Sequence, residues 1–96
     1  MDVIIPGRKN YLQVIVGKES PVIIPSDTYR IDLEPVNRTC TKRNFNGTQD
    51  GEVCQCYLII SFNPECKDFS QGGWYDLKIT NSASEIVCES KVFVSL

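Results

Sequence analysis

An all-β domain, an antiparallel sandwich of about seven short strands, is what this sequence predicts, and three observations carry that expectation. Apolar and polar residues alternate along most of the chain. No window of a dozen residues holds the i, i+3, i+4, i+7 apolar stripe of an amphipathic helix. Gly, Pro, Asn and Asp break the alternating runs about every 8 to 12 residues, the spacing of turns in small sandwiches.

Asp2 to Ile5 reads as a short opening strand stopped by Pro6-Gly7. Tyr11 to Val16 follows and ends at Gly17 and the polar run Lys18-Glu19-Ser20. Val22 to Ile24 is confined between Pro21 and Pro25. Thr28 to Leu33 puts Tyr29, Ile31 and Leu33 on one face and Thr28, Arg30 and Asp32 on the other, so one face is buried and one is wet. Pro35 ends that strand. Asn37 to Glu52 is polar and reads as the longest exposed segment, with Asn46-Gly47 and Asp50-Gly51 as candidate hairpin turns. Val53 to Phe62 carries Leu58, Ile60 and Phe62 on one face and Tyr57 and Ile59 on the other, the pattern of a central strand covered on both sides. Pro64 to Gly73 is a loop. Trp74 to Thr80 then directs Tyr75, Leu77 and Ile79 inward, and Glu85 to Leu96 directs Cys88, Val92, Val94 and Leu96 inward. The same alternation turns Trp74 and Phe93 outward on adjacent strands, which makes them the candidates for contact with a partner.

Residues 1–96 fit one domain, since a second core needs more chain. Ten Lys and Arg against twelve Asp and Glu give a net charge of -2, so no large positive field exists to recruit nucleic acid or an anionic membrane. The longest apolar runs reach about five residues where a bilayer span needs roughly 20. The N-terminus has no charged start followed by an apolar stretch, and the chain reads as a piece excised from a larger protein. With no His in the sequence, no Ser or Cys has its usual base, and the chain reads as a non-enzyme without cofactor or metal. Asp32, Glu34, Asp76 and Glu89 read as solvated charge on outward faces, and Arg38, Lys42 and Arg43 as solvated loop charge.

Five cysteines, Cys40, Cys54, Cys56, Cys66 and Cys88, are many for so short a chain. Cys54 and Cys56 flank Gln55 on a strand, face the same way and make an improbable bridge with each other. If Asn37 to Phe62 folds back as a hairpin, Cys40 lands opposite residues 53 to 56, which favours a bridge from Cys40 to Cys54 or Cys56. Five cysteines allow at most two bridges and leave one thiol over. Two alternatives stand beside stapling: a zinc site from Cys40, Cys54, Cys56 and Cys66, for which the C-x-C spacing fits poorly, and five reduced, buried thiols. Asn37-Arg38-Thr39 and Asn46-Gly47-Thr48 are both acceptor triplets for N-glycosylation and lie in the same polar segment as the cysteine cluster. Together they point to an oxidising, glycosylating compartment.

Gly73-Trp74-Tyr75-Asp76-Leu77-Lys78-Ile79-Thr80-Asn81-Ser82-Ala83-Ser84, followed by the alternating run to Val94, resembles the last two strands of immunoglobulin superfamily domains of the I-set kind. Gly73 and Tyr75 match the Gly-x-Tyr element that forms the tyrosine corner in that family. Asn81 and Ala83 match its Asn-x-Ala-Gly turn, with Ser84 in place of the usual Gly. Leu77 occupies the position of the second inter-sheet Cys, and no Cys precedes Cys40 to supply the first. Trp74 is the only Trp, so the buried Trp of strand C has no counterpart either. A second resemblance links Gly72-Gly73-Trp74-Tyr75-Asp76-Leu77 to the C-terminal β module of bacterial phosphocholine-specific phospholipases C.

These readings imply an immunoglobulin-like antiparallel β-sandwich from the ectodomain of an extracellular or cell-surface glycoprotein. Its expected work is adhesion, receptor recognition or spacing, with a protein partner and neighbouring domains of the same chain. The alternatives are a cytosolic I-set domain of a giant muscle or cytoskeletal protein and an accessory β-domain of a secreted hydrolase.

Overall fold

Alternation with a period of two makes strands wherever one face has a core to cover, and strands dominate this chain. The structure is a computed structural model that describes residues 3–17, 19–37, 42–49 and 52–96. Among the described residues nine strands form: β1 (Val3–Ile4), β2 (Asn10–Ile15), β3 (Val22–Ile24), β4 (Thr28–Pro35), β5 (Arg43–Thr48), β6 (Val53–Gln55), β7 (Tyr57–Phe62), β8 (Gly73–Asn81) and β9 (Ile86–Val94). Seven of them make one sheet in the order β1-β9-β8-β4-β5-β7-β2, and β3 pairs with β6 in a separate ribbon. The sheet is mixed, because β1 runs parallel to β9.

The sheet folds over at β5. That strand pairs with β4 along its whole length, from Thr28↔Thr48 to Leu33↔Arg43, but meets β7 at a single pair, Thr48↔Ser61. Beyond that junction β7 and its partner β2 lie across the inner face of β4 and β5. The Phe45 and Phe62 ring centroids stand 5.6 Å apart, and the space a Cβ on Gly47 would fill holds Ile60 Cγ2 and Ile31 Cδ1. The core between the layers takes Ile4, Leu12, Val14, Tyr29, Ile31, Leu33, Leu58, Ile60, Phe62, Tyr75, Leu77, Ile79, Val92 and Val94, all buried. Full burial of one such side chain contributes about 1.5 to 3 kcal/mol.

Buried polar groups are matched. The Tyr29 hydroxyl donates to Gln49 Oε1 at 2.9 Å, and Gln49 Nε2 donates to the Ile24 carbonyl at 3.2 Å, which ties the β3 ribbon to β4. Burial pushes the Tyr29 phenol above its ordinary pKa and keeps it a donor. At the other end of β8, Asn81 organises the turn into β9: its side-chain oxygen accepts the N–H groups of Ala83 and Glu85 at 3.0 and 2.9 Å. Ser84 takes φ 63°, the left-handed region that favours Gly, which is the physical reason Gly is usual at this place in the turn it resembles.

Several expectations need correction. The Asn37 to Glu52 segment is not wholly an exposed loop, because β5 lies inside it, and Asn46-Gly47 is mid-strand and not a turn. Asp50-Gly51 lies outside the described residues. Val53 to Phe62 is broken at Cys56 into β6 and β7, and on the second face of β7 Ile59 is 40% exposed while Tyr57 is half-buried and Ser61 buried, so that face is covered only in part. The break arises because the Cys56 carbonyl turns to accept the N–H groups of Val16 and Gly17, both at 2.9 Å. The strand parity that placed Cys54 and Cys56 on one face therefore does not run through that bend. Leu96 lies past the end of β9 and is exposed, not inward. Asp32 faces outward as expected yet is buried; its carboxylate is held by Arg30 Nε at 3.0 Å.

Candidate functional site

The outer face of β4, β8 and β9 gathers the residues with something to offer a partner. Cross-strand register decides which side chains meet there. Val3 of β1 pairs with Phe93 of β9, Phe93 with Trp74 of β8, and the Val36 N–H just past β4 donates to the Trp74 carbonyl at 3.1 Å. Four exposed apolar residues, Val3, Phe93, Trp74 and Val36, thus form one row across one end of the sheet. Trp74 and Phe93 meet edge to face with ring centroids 5.4 Å apart, an arrangement that satisfies the ring quadrupoles while both stay in solvent.

Next along the strands the character changes. Glu34, Asp76 and Lys91 form one cross-strand row, and Asp32, Lys78 and Glu89 form the next. With Lys42 they line an open groove of about 490 Å³. Opposite charges alternate in the Asp32, Lys78 and Glu89 row, whereas in the other row Glu34 and Asp76 stand side by side with Lys91 beyond them; with Lys42 the groove carries both signs. Arranged in this way, an apolar strip beside a mixed charged strip can bury aromatic anchors and orient a polar partner.

The strip continues into a smaller hollow at the β4 end, where Val36, Asn37, Gln71, Gly72, Gly73 and Trp74 enclose about 250 Å³. Gly73 has φ 113°, which L side chains avoid, and a Cβ there would meet nothing within 4 Å, so this wall is open. Beneath it the buried Tyr75 donates its hydroxyl to the Gln71 carbonyl at 2.7 Å, and Gln71 Nε2 in turn donates to Asn37 Oδ1 at 3.0 Å. Sequence parity exposed Trp74 and Phe93 but carried no signal for Val3, Val36 or Gln71. Their membership follows from register and from a loop path, which no local pattern encodes.

The remaining candidate residues are dispersed. Asn46 is exposed on β5, opposite Arg30 on the same outer surface. Cys54 is exposed on β6 opposite Ile23, Cys56 is half-buried at the bend, Cys66 is exposed in a single 3-10 turn, and Cys88 is half-buried on β9 against the core. No disulfide bond joins any two of these four. Cys40, and with it the pairing expected for Cys54 or Cys56, lies outside the described residues. The hairpin that would bring Cys40 to residues 53 to 56 is not the arrangement found, because β5 pairs with β4 and β6 pairs with β3. Among the described residues no three of Cys, Asp and Glu converge as a metal site would require. Asp27 is held below the ordinary carboxylate pKa by the Ser82 hydroxyl and the Thr28 N–H, a link between the β3–β4 connection and the β8–β9 turn.

If the aromatic row serves contact, Trp74 should matter little to folding. Trp74 is 46% exposed, so its truncation removes only part of a Trp's buried area. A Trp74→Ser protein is expected to lose about 1 to 2 kcal/mol in a urea melt, less than the loss from emptying the neighbouring Tyr75 site. An equal or larger loss would assign Trp74 to the core.

No family model, curated protein or solved structure matches the chain.

Proposed function

We propose that this chain is a non-catalytic recognition or structural module of an extracellular or cell-surface glycoprotein, built as an immunoglobulin-like sandwich. The solvent-facing Trp74 and Phe93 pair, set in an apolar row beside a charged groove, is the observation that carries the reading. Trp and Phe are enriched where proteins meet, and a few such anchors supply most of the binding energy of an interface. The partner is a protein, read by this sheet face with no chemistry performed on it.

Topology supports the immunoglobulin-like part. The run β5-β4-β8-β9 has the order of strands C′, C, F and G, and β2 with β7 supplies a pair equivalent to B and E. The Tyr75 hydroxyl reaches back four residues to the Gln71 carbonyl, as a tyrosine corner does. Leu77, where the second inter-sheet Cys would stand, is buried in the core, so apolar packing takes the place of that bridge.

Compartment is open to a direct test. Made in a eukaryotic secretory host and examined by mass spectrometry, the protein is expected to carry glycan on Asn37 or Asn46 and at most one disulfide bond within the chain, made by Cys40, since the other four cysteines stand apart. Five free thiols with both asparagines bare would sink the extracellular reading and favour a cytosolic module.

A further inference from the structure

We infer that an N-linked glycan on Asn37 seats its first N-acetylglucosamine against Trp74, in the hollow between Val36 and Gly73. This rests on the glycoprotein reading above and specifies what one of its two acceptor sites does. Asn37 opens the triplet Asn37-Arg38-Thr39, is exposed, and shares one small hollow with Trp74. The hollow is smaller than the roughly 300 to 1,000 Å³ of sites for drug-sized ligands, but it has room for one pyranose ring.

Three features favour a sugar as the occupant. The C–H groups on one face of a pyranose carry partial positive charge and stack on the electron-rich face of an indole, and Trp74 is half-exposed beside the hollow. The Gln71 Nε2 donor holds Asn37 through Oδ1, the oxygen that an N-glycosidic bond leaves untouched, so the orienting hydrogen bond survives attachment. Gly73 leaves its side of the hollow open, where a side chain would compete with the sugar for the ring. Asn46 has no such setting: it lies mid-strand opposite Arg30, and no aromatic residue sits beside it in register. The Asn37 glycan would cover Trp74 together with the Val36 end of the row, so in the glycosylated protein Phe93 and Val3 are the anchors left to a partner, and Trp74 serves as one only where Asn37 is bare.

Trp74 is the only Trp in the chain, so acrylamide quenching of intrinsic fluorescence reads this one position. Glycosylated protein from a secretory host is to be compared after complete removal of N-glycans by an amidase and after trimming by an endoglycosidase that leaves one N-acetylglucosamine. Complete removal is expected to raise the quenching constant about twofold, because one of the two ring faces is uncovered. Trimming should leave it near the starting value, Asn37→Gln should reproduce complete removal, and Asn46→Gln should change nothing. Equal quenching throughout, with Asn37 shown occupied by mass spectrometry, overturns the inference. A bare Asn37 beside a glycosylated Asn46 overturns it too while the glycoprotein reading stands, and two bare asparagines overturn both.

Discussion

A Gly47→Val protein is expected to lose about 3 kcal/mol or more of stability, at the upper end of what overpacking a core costs. Gly47 sits where the sheet folds over, and its missing side chain is what lets β7 approach β5. A Cβ there would lie 2.6 Å from Ile60 Cγ2 and 2.9 Å from Ile31 Cδ1, both belonging to residues with no exposed surface. Neither isoleucine has solvent to swing into, so the strands themselves must part. Against a total of about 5 to 10 kcal/mol for a domain of this size, such a loss leaves little margin. Intrinsic preference points the other way, because Val favours strands and Gly does not, by up to about 1 kcal/mol. Asn46→Val is the matching control: its side chain is exposed, and the change is expected to stay within about 0.5 kcal/mol. Urea melts followed by circular dichroism measure both. A loss below about 1 kcal/mol for Gly47→Val would show that Ile60 does not pack on this glycine.

Tyr75→Ala is expected to cost about 3 to 5 kcal/mol, the range for emptying a buried aromatic site. The ring is 1% exposed and meets Phe69 edge to face at 5.6 Å, and Phe69 stacks in turn on Phe45 at 5.8 Å. Removing it opens a void between β8 and the loop that follows the 3-10 turn, and takes away the support of Phe69, which in turn packs on Phe45 of β5. Tyr75→Phe separates the packing from the hydrogen bond. It keeps the ring, deletes only the donor to the Gln71 carbonyl, and should cost about 1 to 1.5 kcal/mol. If the two variants melt alike, the aromatic packing described here contributes little and the corner is held by its hydroxyl alone. Because Gln71 also carries the hydrogen bond to Asn37, the Phe variant is the gentler probe of the hollow beside Trp74.

How far the sequence could be read varies strand by strand. In β4 and β8 every second residue is large and apolar, so the inward set Tyr29, Ile31, Leu33, Tyr75, Leu77 and Ile79 was legible, and all six are buried. β5 was not legible. Its inward residues include Phe45 and Gly47, and the volume that a large side chain would fill at Gly47 is filled from outside the strand by Ile60 and Ile31. A strand that borrows its core from its neighbours shows no hydrophobic alternation, and Asn-Gly within it imitates a turn. Asp32 misled for a similar reason: an outward position was read as a wet one, but β5 and β8 flank it and Arg30 covers it.

The same division holds for the candidate site. Parity is a property of the backbone, since successive side chains leave a strand on opposite faces, and so the chain alone exposed Trp74 and Phe93. It also placed two acceptor asparagines and five cysteines in one short polypeptide. Which residues stand beside the aromatic pair is set by inter-strand register and by the path of the Gln71–Gly73 loop. Those depend on contacts between segments far apart in the chain, chosen by the fit of the two layers as a whole. Val3 comes to Phe93 across the length of the domain, and Asn37 reaches the Trp74 hollow through a glutamine held by a buried tyrosine. Local chemistry selected the faces, and long-range packing selected the neighbours.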